Sequence, residues 1–432
     1  MAKTARRTPW DRLDTIQVNG NASDTIRPLG SFEHMFWLID QNRSVHFAVT
    51  AQIVGKASPD DWRQALDRVQ GRHPIFSVCI DGSPGSVPRF RQVDAAPIPL
   101  RIVEGNPRTS WEAEVGEELA TPFDPSRAPL IRAVLIQGSR DTALILVAHH
   151  SIVDGLSVAY AIRDTLSALS GGLLEPLPLS PSQEEILGAC AGPATLAGAP
   201  EQQDHAPAGN PATYRPLDDA RPTVKGLRLA PALTASLRDR ARQEGTTVHG
   251  ALCAAFAIAG RQVSADWREI PLRIASPIST RQILDVGESC GVFIGAAIGV
   301  FDWQAIGFWE LARDAKTAVA PGQTRDGVTA LLSAFEEVVG NGAEIAAAAE
   351  FIAAALAHEA TLTNLGVLTF DSRFGPLKLE AMWGPTVLLG MEGEQTIGVA
   401  TVNGSICLTH TGHAPPEGLL EAMRGVLVEA CQ

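Results

Sequence analysis

The stretch LILVAHHSIVDGLSV, residues 144–158, decides the reading of this chain. A run of uncharged, almost wholly apolar residues reads as a buried strand that ends in His149 and His150. Ser151, Ile152 and Val153 lead to Asp154 and Gly155, and the spacing of Leu156, Ala159, Ile162, Leu166 and Leu169 predicts a helix with one buried face. Strand alternation turns one histidine into the core and the other to the opposite face or into a cleft. A neutral imidazole can take a proton from a hydroxyl, amine or thiol near pH 7. Asp154 can fix the tautomer or hold the loop through an ion pair. Gly155 leaves room for close backbone approach, and the helix N-terminus brings oriented N–H groups. Two other readings compete. The histidines can be satisfied core residues, or part of a metal site. The metal reading lacks a third ligand at suitable spacing, and the HxxH at His410 and His413 sits on a strand-to-turn segment where spacing says little.

The rest of the chain reads as mixed α and β in both halves. Upstream, APLIRAVLIQ (128–137) and TALILVAHH (142–150) are β-rich runs joined by a short turn, hence a hairpin. DDWRQALDRVQGRHP (60–74) predicts a helix stopped by proline, followed by the short strand IFSVCI. Downstream, TTVHGALCAAFAIAGRQV (246–263) predicts a buried helix with a threonine cap. REIPLRIASP and CGVFIGAAIGVFDW read as strands. FWELARDAKTAV, VTALLSAFEEVVG and EIAAAAEFIAAALAH read as helices, and EGLLEAMRGVLVEA closes the chain as another. In TIGVATVNGSICLTHTG (396–412), two alternating runs flank Asn403-Gly404, which predicts a type I′ turn. Residues 170–222 carry nine of the 29 prolines and read as an inter-lobe linker between an N-terminal lobe, 1–169, and a C-terminal lobe, 223–432.

Composition removes several classes. The 432 residues, at about 150 per domain, suggest two to three domains, and 45% hydrophobic content supplies a core. The balance of 35 Lys+Arg against 48 Asp+Glu, −13 in all, argues against non-specific nucleic-acid binding and against a polybasic membrane anchor. GxGxxG and GxxxxGK[ST] are both absent. Six scattered cysteines without a CxxC pair read as free thiols in a reducing compartment. MAKTARRTPWDRL has no apolar stretch after its basic residues, and no run of 18 apolar residues exists, so a cytoplasmic protein without a membrane span is expected.

HHSIVDG (149–155) resembles the HHxxxDG motif of the condensation-domain superfamily. That superfamily includes nonribosomal-peptide condensation domains, the mycobacterial polyketide-associated acyltransferases and, more distantly, chloramphenicol acetyltransferase. The context is similar too. RPLGSFEHMFWLID (27–40) resembles the opening helix, QGRHPIFSVCI (70–80) the "HPxLRt" segment and TPFDPSRAPLIRAVLI (121–136) the segment before the motif. TTVHGALCAAFAIAG, SPISTR (276–281) and CGVFIG (290–295) resemble three segments of the second lobe, in order, and TNLGVLTF (363–370) is similar to the "sNlG" segment of stand-alone acyltransferases. Gly295 stands where the family pattern has Asn.

The resemblance implies an α/β (α+β) chain of two chloramphenicol-acetyltransferase-like lobes, arranged as a V with a tunnel at their interface. It implies acyl transfer from a phosphopantetheine thioester, on a carrier protein or coenzyme A, with no bound cofactor and no metal. His150 would be the general base, His149 structural, Asp154 paired with Arg281 of the second lobe, and Gly155 at the border of the donor arm. The expected product is an ester formed on an alcohol, in secondary-metabolite or lipid biosynthesis. The alternatives are a free-standing nonribosomal-peptide-type enzyme forming an amide and a non-catalytic carrier-protein docking module. The expected partners are an acyl or peptidyl carrier protein and a small-molecule acceptor, with the chain working as a monomer. An acidic carrier would need a local basic patch, for which Lys3, Arg6, Arg7 and Arg12, or Arg89, Arg91 and Arg101, are candidates.

Overall fold

The computed structural model describes residues 10, 25–83, 86–94, 96–106, 109–188, 213–216, 220–302, 307–340, 345–355 and 357–432. Two six-stranded sheets dominate it. The first runs in the order Arg373–Phe374, Leu377–Val387, His46–Val54, Asp141–His149, Ile131–Gln137, Leu100–Glu104. The second runs Ile294–Phe301, Leu272–Ser279, Ala360–Val367, Gln395–Val402, Ser405–Gly412, Thr223–Arg228. A three-stranded sheet, Thr25–Pro28, Arg89–Gln92 and Val78–Asp81, is hydrogen-bonded to neither but shares the first sheet's core through Val78, Ile80 and Phe90.

Most local readings carry over in physical detail, but the strand expected over IFSVCI is confined to Val78–Asp81, because Pro74–Ser77 forms a 3₁₀ turn, and REIPLRIASP is strand only from Leu272. Ile131–Gln137 and Asp141–His149 pair antiparallel as a hairpin. The helix Pro59–Arg72 starts on a Ser58–Asp61 capping box and buries Trp62, Ala65, Leu66 and Val69. Thr247 caps the helix Val248–Val263 by accepting from the N–H of Gly250. Asn403 and Gly404 both have positive φ, 51° and 73°, as a type I′ turn requires. The expected strand over residues 290–303 begins only at Ile294, because Cys290–Phe293 turns aside to dock on Asp154.

Two features depart from the expected partition. The lobe boundary at residue 223 is crossed, since Leu377–Val387 pairs antiparallel with His46–Val54 inside the first sheet. Its reason is an edge problem. His46–Val54 is almost wholly buried and Asp141–His149 satisfies only one of its edges, so its other row of backbone groups needs a strand. The proline-rich segment also contains a helix, Gln183–Leu187, capped by Ser182. Glu184 Oε1 accepts from the backbone N–H of Ser31 at 2.9 Å, at the start of the helix Ser31–Asp40. Gln183 donates to the Ile294 carbonyl at 3.0 Å and accepts from the Thr280 hydroxyl at 2.6 Å. This segment therefore ties the first half to the second. Residues 189–212 and 217–219 of the expected linker lie outside the described residues.

Buried histidines set an acid limit on the fold. Burial holds His34, His249 and His410 down to about 4, and burial with the Arg132 charge holds His46 down to about 3. The unfolded chain takes up these protons near pH 6.5, whereas the folded chain resists them until about 4. Stability is thus fully present above about pH 6.5 and is lost as the pH falls towards 4. Thermal melts at pH 7.5 and 5.0 should show a lower Tm at the acid pH; an unchanged Tm would contradict the burial of these rings.

Candidate active site

His149 and His150 end the strand Asp141–His149, and the helix Gly155–Leu169 starts five residues later with Asp154 as its cap. His149 is fully buried. Its Nδ1 accepts from the N–H of Ser151 at 3.2 Å, and its Nε2 lies 3.3 Å from Asp40 Oδ2. Burial pushes the Asp40 carboxyl up, but the contact with His149 and the N–H of Val45 outweigh it and hold the group below its ordinary range.

His150 is placed differently. Its ring is half-buried, stacked on Phe36 at 4.1 Å between centroids and tilted against Phe47 at 4.7 Å. Nδ1 lies 3.2 Å from the Val153 carbonyl, which can only accept, so Nδ1 carries the proton and Nε2 the lone pair. Burial holds the ring down to about 4, so it is neutral at pH 7. The tautomer is set by a main-chain carbonyl rather than by Asp154.

Asp154 is occupied elsewhere. Its carboxylate accepts from Arg281 Nη2 at 2.9 and 3.0 Å, the N–H of Ser157 at 2.7 Å, the N–H of Phe293 at 3.0 Å and the Ser157 hydroxyl at 2.8 Å. Its own N–H donates to the Gly291 carbonyl. Arg281 also donates to the carbonyls of Gly287 and Ser289. Ion pair, helix cap and the 287–293 loop thus form one buried knot between the two halves. Ser157, Gly291 and Phe293 belong to it; Ser157 is signalled only by its nearness to the motif, and Gly291 and Phe293 only by the resemblance of CGVFIG (290–295) to a second-lobe segment.

Gly155 lies against the crossing segment. A Cβ there would stand 2.6 Å from Pro385 Cγ and 2.9 Å from Leu365 Cδ2. On the other side, a Cβ at Gly398 would run into the Pro385 carbonyl. Two glycines, one in each half, let Pro385 pass between the motif helix and the second sheet. Gly155→Ala is expected to destabilise the protein by about 1–3 kcal/mol through overpacking, which chemical denaturation would read; a neutral effect would mean that Pro385 can move freely.

A cavity of about 130 Å³ opens beside His150, Asp154 and Gly155. One wall is Phe32, Met35, Phe36, Ile39 and Phe47, with Phe335 stacked on Phe32 at 4.4 Å. The other comes from the second half, through residues including Pro277, Thr361, Thr363 and Thr396. Gly295 lines it as well; a Cβ there would meet Leu331, Thr280 and Gly322, at 3.7–3.9 Å, on the side away from the cavity. Asn364 lines it while its Oδ1 accepts from the N–H of Gly366, so it shapes the turn there. The cavity thus holds a neutral imidazole with one free lone pair at the junction of two halves, the arrangement needed for proton transfer to or from a bound group.

Other candidate residues lie apart. Arg101 is bound to Glu114 and Glu118, which also holds Arg132, so it does not provide the free basic patch expected of it. Lys3, Arg6, Arg7 and Arg12 lie outside the described residues. His410 Nε2 is 2.8 Å from Gln395 Oε1, and among the described residues no group of His, Cys, Asp or Glu is arranged to hold a metal. Among them, too, no helix is long and apolar enough to cross a membrane.

The paired sheets and the histidine-bearing loop between them define the class to which condensation domains belong. The Condensation domain family model matches residues 35–184, and the model described as phthiocerol/phthiodiolone dimycocerosyl transferase C-terminus matches residues 218–370. The chain belongs to the superfamily of condensation domains and polyketide-associated acyltransferases, a family of transferases. It is similar in fold to polyketide synthase associated protein 5 from Mycobacterium tuberculosis, at 19% identity and a TM-score of 0.65, with 95% of this chain and 98% of that one covered. SgcC5 from Streptomyces globisporus gives 16%, a TM-score of 0.63, and 94% and 97% coverage. Phosphinothricin tripeptide synthetase PhsC from Streptomyces viridochromogenes is 26% identical over 302 residues; the match takes in 62% of this chain but only 26% of that protein.

Proposed function

We propose that this chain transfers an acyl group from a phosphopantetheine thioester to an alcohol, forming an ester, with His150 as general base. The observation that carries the reading is the His150 ring: neutral, fixed by the Val153 carbonyl, and set in the cavity wall with Nε2 unprotonated. Nε2 takes the proton of the acceptor hydroxyl as its oxygen attacks the thioester carbonyl. The tetrahedral intermediate collapses, the C–S bond breaks, and the imidazolium returns the proton to the leaving thiolate. His149, tied to Asp40 and Ser151, supports the strand end. Asp154 and Arg281 hold the loop that carries His150, and Gly155 admits Pro385. The donor would arrive on a carrier protein or coenzyme A. The complex of SgcC5 with an aryl diol, (R)-(-)-1-(2-naphthyl)-1,2-ethanediol, makes an alcohol the first acceptor to try. The peptide-synthetase relatives favour a second reading, amide formation on an amine by the same proton relay.

Thiol release from acyl thioesters on coenzyme A and on carrier protein, each with alcohol and amine acceptors, tests both readings. Release that requires an alcohol and His150 supports the ester reading. Release that requires an amine replaces it with the second. Release from no donor, with folded protein, would favour a non-catalytic docking module.

A further inference from the structure

The two walls of the cavity differ in chemistry as well as origin. The first-half wall is aromatic and aliphatic, whereas the second sheet contributes Thr361, Thr363 and Thr396. Parallel pairing sets Thr361 directly beside Thr396, and strand alternation puts Thr361 and Thr363 on the same face. Among the described residues, the lining includes no lysine or arginine. Of its two carboxylates, Asp154 is saturated by the knot described above. Glu394 accepts the N–H groups of Leu389, Gly390 and Met391, and both of its oxygens are used. An anionic group entering here finds no free cation among the described lining residues.

The threonines are not equivalent. Thr361 Oγ1 lies 2.9 Å from His358 Nε2. Thr396 is fully buried, and its Oγ1 has no hydrogen-bond partner among the described residues. A buried hydroxyl in that condition is destabilising, and an apolar side chain of the same shape would do as well or better for folding alone. Its place in the wall gives it another use, since a bound molecule can supply the missing partner. A site built to hydrogen-bond a substrate oxygen also rejects an analogue lacking that oxygen, because the site's own polar group then stays unpaired.

We propose that Thr396 is a specificity-determining residue, whose hydroxyl hydrogen-bonds one oxygen, a hydroxyl or carbonyl, on an uncharged and otherwise apolar substrate group packed against Phe36 and Phe47. That the bound group is a substrate rests on the transferase reading; that the cavity selects it does not. The charged phosphate of a pantetheine arm stays outside this part of the cavity.

The test uses small probes that need no chemistry. A cavity of about 150 Å³ accepts benzene, and this one, about 130 Å³, is of the same order, so the probes are kept to one ring: toluene, phenol, benzyl alcohol and benzoate. Their dissociation constants are measured by titration on the full chain for wild type, Thr396→Val and Thr396→Ser. The preference for phenol or benzyl alcohol over toluene should fall about tenfold in Thr396→Val. It should persist in Thr396→Ser, which keeps a hydroxyl. Thr396→Val should bind toluene at least as well as wild type and melt no lower, and benzoate should bind to none of the three. An unchanged preference in Thr396→Val would overturn the proposal, as would failure of every neutral probe to bind wild type. A Thr396→Val protein that fails to fold would also overturn it, since the hydroxyl would then have a structural partner. The thioester panel is read separately. Selective probe binding without turnover leaves the Thr396 site standing and removes the transferase reading; turnover without Thr396-dependent selection does the reverse.

Discussion

Replacing His150 with alanine is expected to lower kcat by about 10²–10⁴-fold, the range that positioned general bases supply, with the fold retained. The ring is half-buried and contributes stacking on Phe36 and Phe47, so a modest loss of stability, about 1 kcal/mol, should accompany the change. Circular dichroism and a thermal melt separate the two effects. The pH profile offers a sharper check than the variant alone. Burial holds the ring down to about 4, so the unprotonated base is present throughout the neutral range and is lost only as the pH falls through about 4. The acid limb of kcat/KM, corrected for the folded fraction at each pH, should therefore lie well below the 6.5 of an ordinary histidine. An acid limb near 6.5, or a His150→Ala variant with close to wild-type rate, would assign the proton transfer to another group.

Much of the fold was legible because local signals were strong. The Asn403-Gly404 hairpin, the helix opened by Thr247 and the strand–loop–helix around His150 each combine a hydrophobic period with a turn or capping residue. Pairing between distant strands has no such local signature. Nothing in LKLEAMWGPTV (377–387) announces that it completes the first sheet beside His46–Val54. That choice is made by an unpaired edge more than 300 positions upstream. The site divides in the same way. His149, His150, Asp154 and Gly155 lie within seven residues, and Arg281 was reached through the resemblance of SPISTR. Phe36, Phe47, the Val153 carbonyl and Ser157 were not legible, because their roles depend on packing and main-chain geometry. Thr396 is the extreme case: in sequence it is one β-former among several, and only the wall on which it stands gives its hydroxyl a meaning.

The Asp154–Arg281 pair should prove the most costly contact to break. Removing one member of a buried ion pair typically costs about 3–5 kcal/mol, and here the two members are not equivalent. Asp154→Ala deprives Arg281, the N–H of Ser157 and the N–H of Phe293 of their acceptor together. Arg281→Ala leaves the carboxylate with the Ser157 and Phe293 N–H groups, although it also frees the carbonyls of Gly287 and Ser289. Asp154→Ala is therefore expected to be the more destabilising in urea unfolding. In the double-mutant cycle a coupling of about 0.5–3 kcal/mol is expected; a coupling near zero would mean that the two groups do not bridge the halves in solution. The functional consequence follows from the neighbouring residue. Val153, whose carbonyl fixes the His150 proton on Nδ1, directly precedes Asp154, and the N–H of Asp154 is itself anchored on Gly291. Loosening Asp154 should let that carbonyl wander, so that His150 loses its fixed tautomer as well as its position. Activity per folded molecule should then fall in Asp154→Ala although Asp154 makes no hydrogen bond to the base, and the His150 ring nitrogens should shift in the NMR spectrum. Unaltered ring nitrogens in a folded, less active variant would mean that Asp154 acts on the reaction by some route other than the loop.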